Sequence, residues 1–183
     1  MAEHRRADYR LRAARRSDVP KLDDLIRCSA HELSRGDYSG EQVDAALQGV
    51  FGVDTQLIDD GTYFVIEHGA VLAACGGWSF RATLFGNDDI AGRDPSPLDP
   101  ATDAARIRAF FVHPGHARRG LGRWLLEHCE QAARSAGFSR ASLGATVPGR
   151  RLYARFGYRG EQAVEHRMTD ALTLTVYPME KTL

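Results

Sequence analysis

Apolar positions along the chain change period several times, and each change predicts an element. "YRLRAA" (Tyr9–Ala14) alternates and reads as a first strand. Ser17 or Asp18 then caps a helix with Pro20 in its first turn, and Leu22, Leu25, Ile26 and Leu33 form its apolar stripe. "RGDYSG" breaks that helix, and a second starts at Ser39 with Val43, Ala46, Leu47 and Val50 on its buried side. Tyr63–Glu67 and Val71–Phe80 are β-branched and aromatic runs that form a hairpin around His68-Gly69. "ARIRAFFV" (Ala105–Val112) is a strand, and the helix after it buries Leu121, Leu125, Cys129, Ala132 and Ala136, with Gly137 as its stop. "SRASLGA" is a short strand, "VPGRRLYARFGY" a helix from Pro148 to Gly157, and "LTLTVYPM" a half-buried strand within a C-terminal hairpin. Alternating strands and helices over this length give one mixed α/β domain, residues 1–183.

Between Arg81 and residue 104 the composition turns to Gly, Pro and Asp, a long loop placed as a lid would be. Its acids lack EF-hand spacing, so no metal is expected. Lys and Arg total 24, as do Asp and Glu, which leaves no global field for nucleic acid or an anionic membrane. The basic run "HRRADYRLRAARR" is accordingly read as a solvated face. Cys28, Cys75 and Cys129 fit neither a disulfide framework nor a CxxC site. The first residues lack the apolar core of a signal peptide, and no apolar run approaches a membrane span, so a cytoplasmic protein is expected.

One feature breaks a local rule. In "FFVHPGHARRGLGRWLLEHCE" Arg118, Arg119 and Arg123 crowd the start of a helix, where the backbone is already positive and acids are preferred. An anion at that helix start removes the conflict. The N–H groups there bind phosphate, and Gly120 and Gly122 let it approach. The stretch has no Lys at the Walker A position and no third glycine of a dinucleotide fingerprint, since Leu121 and Leu125 stand there.

The segment Phe110–Phe138 resembles motif A of the GNAT superfamily of N-acetyltransferases, and "RRLYARFGY" resembles its motif B. The resemblance implies a mostly antiparallel, twisted sheet flanked by helices and splayed near its centre, with acetyl-CoA as cosubstrate in the opening. It implies that the backbone of Phe110, Phe111 and Val112 pairs with the pantetheine. The N–H groups of Arg118, Arg119, Gly120, Leu121 and Gly122 would hold the pyrophosphate, with Arg123 beside them. Ala117 stands where the family has Gln or Arg. Tyr153 takes the place of the family's general acid, and the Val112 N–H that of an oxyanion donor.

The acid that many members carry early on the strand before motif A is Arg106 here. Glu32, Asp37, Tyr38 and His113 are the candidate bases. Period two puts Arg106, Arg108 and Phe110 on one face. There they either meet an anionic acceptor or pair with loop acids such as Asp99 and Asp103. Trp78 is read as core, with the cleft as its other place. The expected activity is acetyl transfer to a small-molecule or peptide amine; the rival is a non-catalytic acyl-CoA sensor. No nucleic-acid or membrane partner is expected, and the C-terminal hairpin is a candidate dimer contact.

Overall fold

A computed structural model describes residues 8–183. Seven strands form one sheet in the order β1-β2-β3-β4-β5-β7-β6. They are β1 (Tyr9–Ala13), β2 (Tyr63–His68), β3 (Val71–Ser79), β4 (Ala105–Val112), β5 (Arg140–Thr146), β6 (Val164–Arg167) and β7 (Thr173–Thr182). Every neighbouring pair is antiparallel except β4 with β5, which is parallel. One face carries α1 (Val19–Leu33), α2 (Gly40–Ala46) and α3 (Thr55–Asp59), and the other carries α4 (Leu121–Ser135) and α5 (Val147–Arg155).

Each helix forms where its apolar spacing meets a sheet face. On α1, Leu22, Leu25, Ile26, Ser29 and Ala30 are buried, the i, i+3, i+4, i+7, i+8 series. Leu33 was expected in this stripe but is 40% exposed. Ser29 already abuts Val112, the last residue of β4, so the turn carrying Leu33 overhangs the sheet. Ser39 starts α2 as expected: its Oγ accepts from Gln42 N at 3.1 Å while Gln42 Oε1 accepts from Ser39 N at 2.9 Å. On α4 the buried residues are Leu121, Leu125, Leu126, Cys129, Glu130 and Ala133, and the expected Ala136 is exposed. By period Ala136 falls on the buried side; it is exposed because it is the C-cap residue, past Ser135 where the helix ends.

The 81–104 segment contains no helix or named strand. Its two arms run antiparallel, with Ala82 N–H on Ser96 O at 3.0 Å and Leu98 N–H on Phe80 O at 2.7 Å. The bend between them is held down by Asn87 N–H to Gly49 O at 2.9 Å.

His4, Arg5, Arg6 and Ala7 of the basic run lie outside the described residues. Of the remainder, Arg12 pairs with Asp18 at 2.7 Å and Glu67 at 2.6 Å, and Arg16 pairs with Asp59. Arg12 is held above its usual basicity by the hydrogen bonds to Asp18 and Glu67. These guanidinium groups are already neutralised within the fold. No helix among the described residues is long and apolar enough to cross a membrane.

Candidate functional site

β4 and β5 pair only at Ala105–Ala141 and Arg106–Ser142, and beyond them the two strands separate. That separation leaves the β5-side edge of β4 open through Val112. A bulge sharpens it. Cys75 pairs with Phe111 and Gly77 with Arg108, so Ala109 and Phe110 together oppose Gly76. Ala109 takes φ +55, a left-handed conformation that costs an L-residue roughly 1–2 kcal/mol. Gly76 is obligatory there, since a Cβ would lie 2.7 Å from the Phe110 ring. Below the bulge the buried Tyr63 hydroxyl lies 3.2 Å from both Ala109 O and Cys75 Sγ. Burial pushes the Cys75 thiol up to about 12, so it stays protonated and acts as packing.

The bulge changes the face assignment along β4. Ala105 and Ile107 pack toward α4, and so does Phe110, whereas Ala109 and Phe111 pack toward α1. Phe110 was expected to share a face with Arg106 and Arg108; the extra residue moves it to the opposite one. Its ring stands 6.3 Å, edge to face, from Tyr153 of α5.

At the far end of the opening lies the start of α4. Arg118 has φ +62 and Gly120 has φ +83. Such left-handed positions turn successive N–H groups into a concave, anion-binding nest. The N–H groups of Arg118, Arg119, Gly120, Leu121, Gly122 and Arg123 make no hydrogen bond among the described residues, and the first turn has no acid. Arg118, Arg119 and Gly120 are exposed. Arg123 is turned to Glu127 at 2.6 Å and lies 5.6 Å over the Phe156 ring, which leaves Arg118 and Arg119 as the charges nearest the nest. A Cβ at Gly122 would stand 3.3 Å from Leu152, so this glycine lets α4 approach α5. The two strained non-glycine residues of the described chain, Ala109 and Arg118, both border the opening, where strain tends to collect.

Tyr153 is buried between Phe110 and Tyr158, and its hydroxyl has no hydrogen-bond partner among the described residues. Burial, then the Cys129 thiol, push its pKa upward, so the phenol stays neutral. His113 N–H donates to Ala73 O on β3 at 2.9 Å; by alternation the Val112 N–H points to the open edge, where it meets Ser29 Oγ at 3.3 Å.

The candidate bases separate in space. Tyr38 donates to Thr175 O at 2.7 Å and accepts from Val147 N at 2.9 Å, which ties the α1–α2 connection to β7 and α5. Burial, partly offset by the Val147 N–H, pushes Tyr38 up to about 12. Glu32 pairs with Arg35 at 2.7 Å, Asp37 is exposed, and His113 Nδ1 accepts from Gly115 N at 3.1 Å. Trp78 is core, against Phe80 and Phe138.

Arg108 pairs with neither Asp99 nor Asp103. It meets the fully buried Asp54 at 2.6 Å and donates to Gly86 O at 2.7 Å, and Arg93 shares Asp54 at 2.7 Å. Burial lowers the Arg108 guanidinium from its usual basicity and Asp54 opposes that. Sequence reasoning missed Asp54, Ser29 and Phe85. Asp54 stands before "TQLI" as an N-cap does, and its side chain accepts from Gln56 N at 3.1 Å. Ser29 was legible as the lone polar residue of the α1 stripe. Nothing local marks Phe85, whose ring meets His166 of β6 at 4.9 Å.

A model of the acetyltransferase (GNAT) family matches residues 28–158, from α1 through the end of α5. The chain belongs to the GNAT acetyltransferase family. Its fold is shared with solved GNAT structures. A GCN5-related N-acetyltransferase from Rhodopseudomonas palustris aligns over 97% of this chain and 97% of its own, with TM-score 0.70 and 19% identity. The PaiA N-acetyltransferase from Thermoplasma acidophilum, in complex with coenzyme A, aligns over 96% and 99%, with TM-score 0.65 and 14% identity. YncA of Salmonella typhimurium, with acetyl-CoA, aligns over 96% and 94%, with TM-score 0.62 and 17% identity. At such identities the likeness is one of fold. A search of curated proteins finds no match. Among the described residues no group of three or more His, Cys, Asp and Glu is gathered as a metal site.

Proposed function

We propose that this GNAT protein transfers the acetyl group of acetyl-CoA to the amine of an acceptor by direct attack, with Tyr153 as general acid. The observation that carries the reading is the run of free N–H groups from Arg118 to Arg123 at the mouth of the β4–β5 opening. Acetyl-CoA supplies a thioester carbonyl, open to an amine. The chain supplies the rest. The nest and its glycines hold the pyrophosphate, with Arg118 and Arg119 adding charge. The open edge at Phe110, Phe111 and Val112 pairs with the pantetheine amides. The Val112 N–H is an oxyanion donor whose present acceptor, Ser29 Oγ at 3.3 Å, is at the long end for such bonds and exchangeable. Tyr153 donates its proton toward the departing sulfur. Burial raises the phenol, and it raises the thiol in the same dry pocket, which keeps donor and acceptor matched.

Coenzyme A is expected to raise the melting temperature in a concentration-dependent way. At a hundredfold excess over Kd the gain is about 2.7 kcal/mol, or about 5–10 °C for a chain of this size. No shift at millimolar coenzyme A removes the acyl-CoA reading.

A substitution pair isolates the nest. Gly120 has open space around it but φ +83, and both Asn and Asp tolerate the left-handed region better than other side chains. Gly120→Asp places a carboxylate beside the pyrophosphate and is expected to weaken coenzyme A roughly tenfold relative to Gly120→Asn. Calorimetric titration of the two variants gives the ratio, and equal affinities place the pyrophosphate elsewhere.

A non-catalytic acyl-CoA sensor is the second reading, favoured by a β4 with no carboxylate and by Tyr38 being fully hydrogen-bonded. Free-thiol release from acetyl-CoA across an amine panel decides between them, because a sensor binds coenzyme A and releases none.

A further inference from the structure

We infer that the acceptor carries a carboxylate and that Arg106 binds it at the root of the β4–β5 opening; the amine part of this statement rests on the acetyl-transfer reading above. Arg106 is the last β4 residue paired with β5, and it lies on the face away from Ala105 and Ile107, which belong to the core beneath α4. It shares that face with Arg108, whose Nη2 donates to Gly86 O in the 81–104 segment. Two residues along β5 from its partner Ser142, Gly144 faces the Phe85 ring of the same segment, with a Cβ there 3.4 Å from it. Arg106 therefore sits where the sheet opens and where the segment crosses it.

Its hydrogen bonding is incomplete in a specific way. Nη1 donates to Ser142 Oγ at 2.5 Å. Nε is buried and has no acceptor, and Nη2 makes no bond among the described residues. The edge left over, Nε with Nη2, is one that takes a carboxylate through two parallel N–H···O bonds. Neighbouring arginines all have a counter-charge: Arg81 holds Asp60, Arg93 and Arg108 hold Asp54, and Arg140 holds Glu180. Arg106 forms no ion pair among the described residues. Nε is shut off from water without an acceptor, a cost that an anion from outside the chain removes. A second orphan lies alongside, since Arg108 Nε is also buried without an acceptor in a side chain 2% exposed. The site selects one small molecule bearing both an amine and a carboxylate, an amino acid or a close relative.

Binding and turnover are measured separately. With coenzyme A present, the N-acetylated standard amino acids are tested by thermal shift against their primary amides, with inorganic phosphate as a third arm. At least one acid is expected to bind tenfold or more tightly than its amide, and Arg106→Met is expected to erase that difference while the coenzyme A shift stays. Acids and amides binding alike, neither binding, phosphate alone binding, or the preference surviving in Arg106→Met each overturns the inference. Should Arg106→Met fail to fold, Arg106→Lys keeps the charge and loses the fork, and it must still lose most of the discrimination. Thiol release then separates the two readings. An Arg106-dependent acid preference without release on any amino acid keeps the anion site and removes acetyl transfer. Equal release on amines with and without a carboxylate keeps acetyl transfer and removes the anion site.

Discussion

Asp54→Ala is expected to lower the melting temperature by about 10 °C. Asp54 is fully buried and is the carboxylate shared by Arg108 and Arg93. Removing one partner of a buried pair strands the other charge, at a cost of about 3–5 kcal/mol, and each kcal/mol moves Tm by about 2–4 °C at this size. The 81–104 segment should loosen with it, because Arg108 donates to Gly86 O and Arg93 to Asn87 O at 2.6 Å. Removing the two buried charges with an Asp54→Leu, Arg108→Met pair should cost less than the single change, since the buried Arg108 is no longer stranded and the more exposed Arg93 keeps Asp88 at 3.7 Å. Thermal denaturation of the three proteins checks both statements. A single-variant loss under 2 °C means that water reaches Arg108 and that the triad is not a sealed unit.

Tyr153→Phe is expected to reduce kcat roughly 10²-fold and to leave the KM for acetyl-CoA near that of the unaltered protein. The hydroxyl makes no hydrogen bond among the described residues, so its removal leaves none of them unsatisfied, and the ring keeps its contacts with Phe110 and Tyr158. The fold and the coenzyme A thermal shift should be unchanged. Activity of the unaltered enzyme should rise with pH across the neutral range, because β4 carries no carboxylate and an alkylammonium near pKa 10.4 supplies more free amine as pH rises. Tyr153, driven upward by burial, stays protonated over that window, so the rise belongs to the acceptor. An unchanged kcat in the Phe variant removes Tyr153 from the proton path.

Much of this protein was legible along the chain because its information was local. The helix start at Ser39, the stripe of α1 and the arginines at a helix start are all patterns within one or two turns, and each recurs in the structure. Motif spacing extended that reach to the family and to the nest at 118–123.

Errors arose where a residue's neighbour lies on another strand. Leu33 was misjudged because helical period says which way a side chain points and not where the sheet beneath it ends. Phe110 was put on the wrong face because strict alternation holds only until an extra residue enters the ladder. The bulge depends on Gly76, some 30 residues earlier, being bare enough to take the ring. For Arg108 the alternatives were an anionic acceptor or acids near it in sequence, whereas its partner Asp54 arrives from the start of α3.

The amino-acid sequence by itself determined most of the elements, though not the short α3, together with the cap at Ser39 and the arginine-rich start of α4, since propensity and period act over a few residues. The tertiary structure alone decided which buried charges are paired. Asp54 meets two arginines and Arg106 meets none because counter-charges are matched by distance in space, and chain separation does not encode that distance.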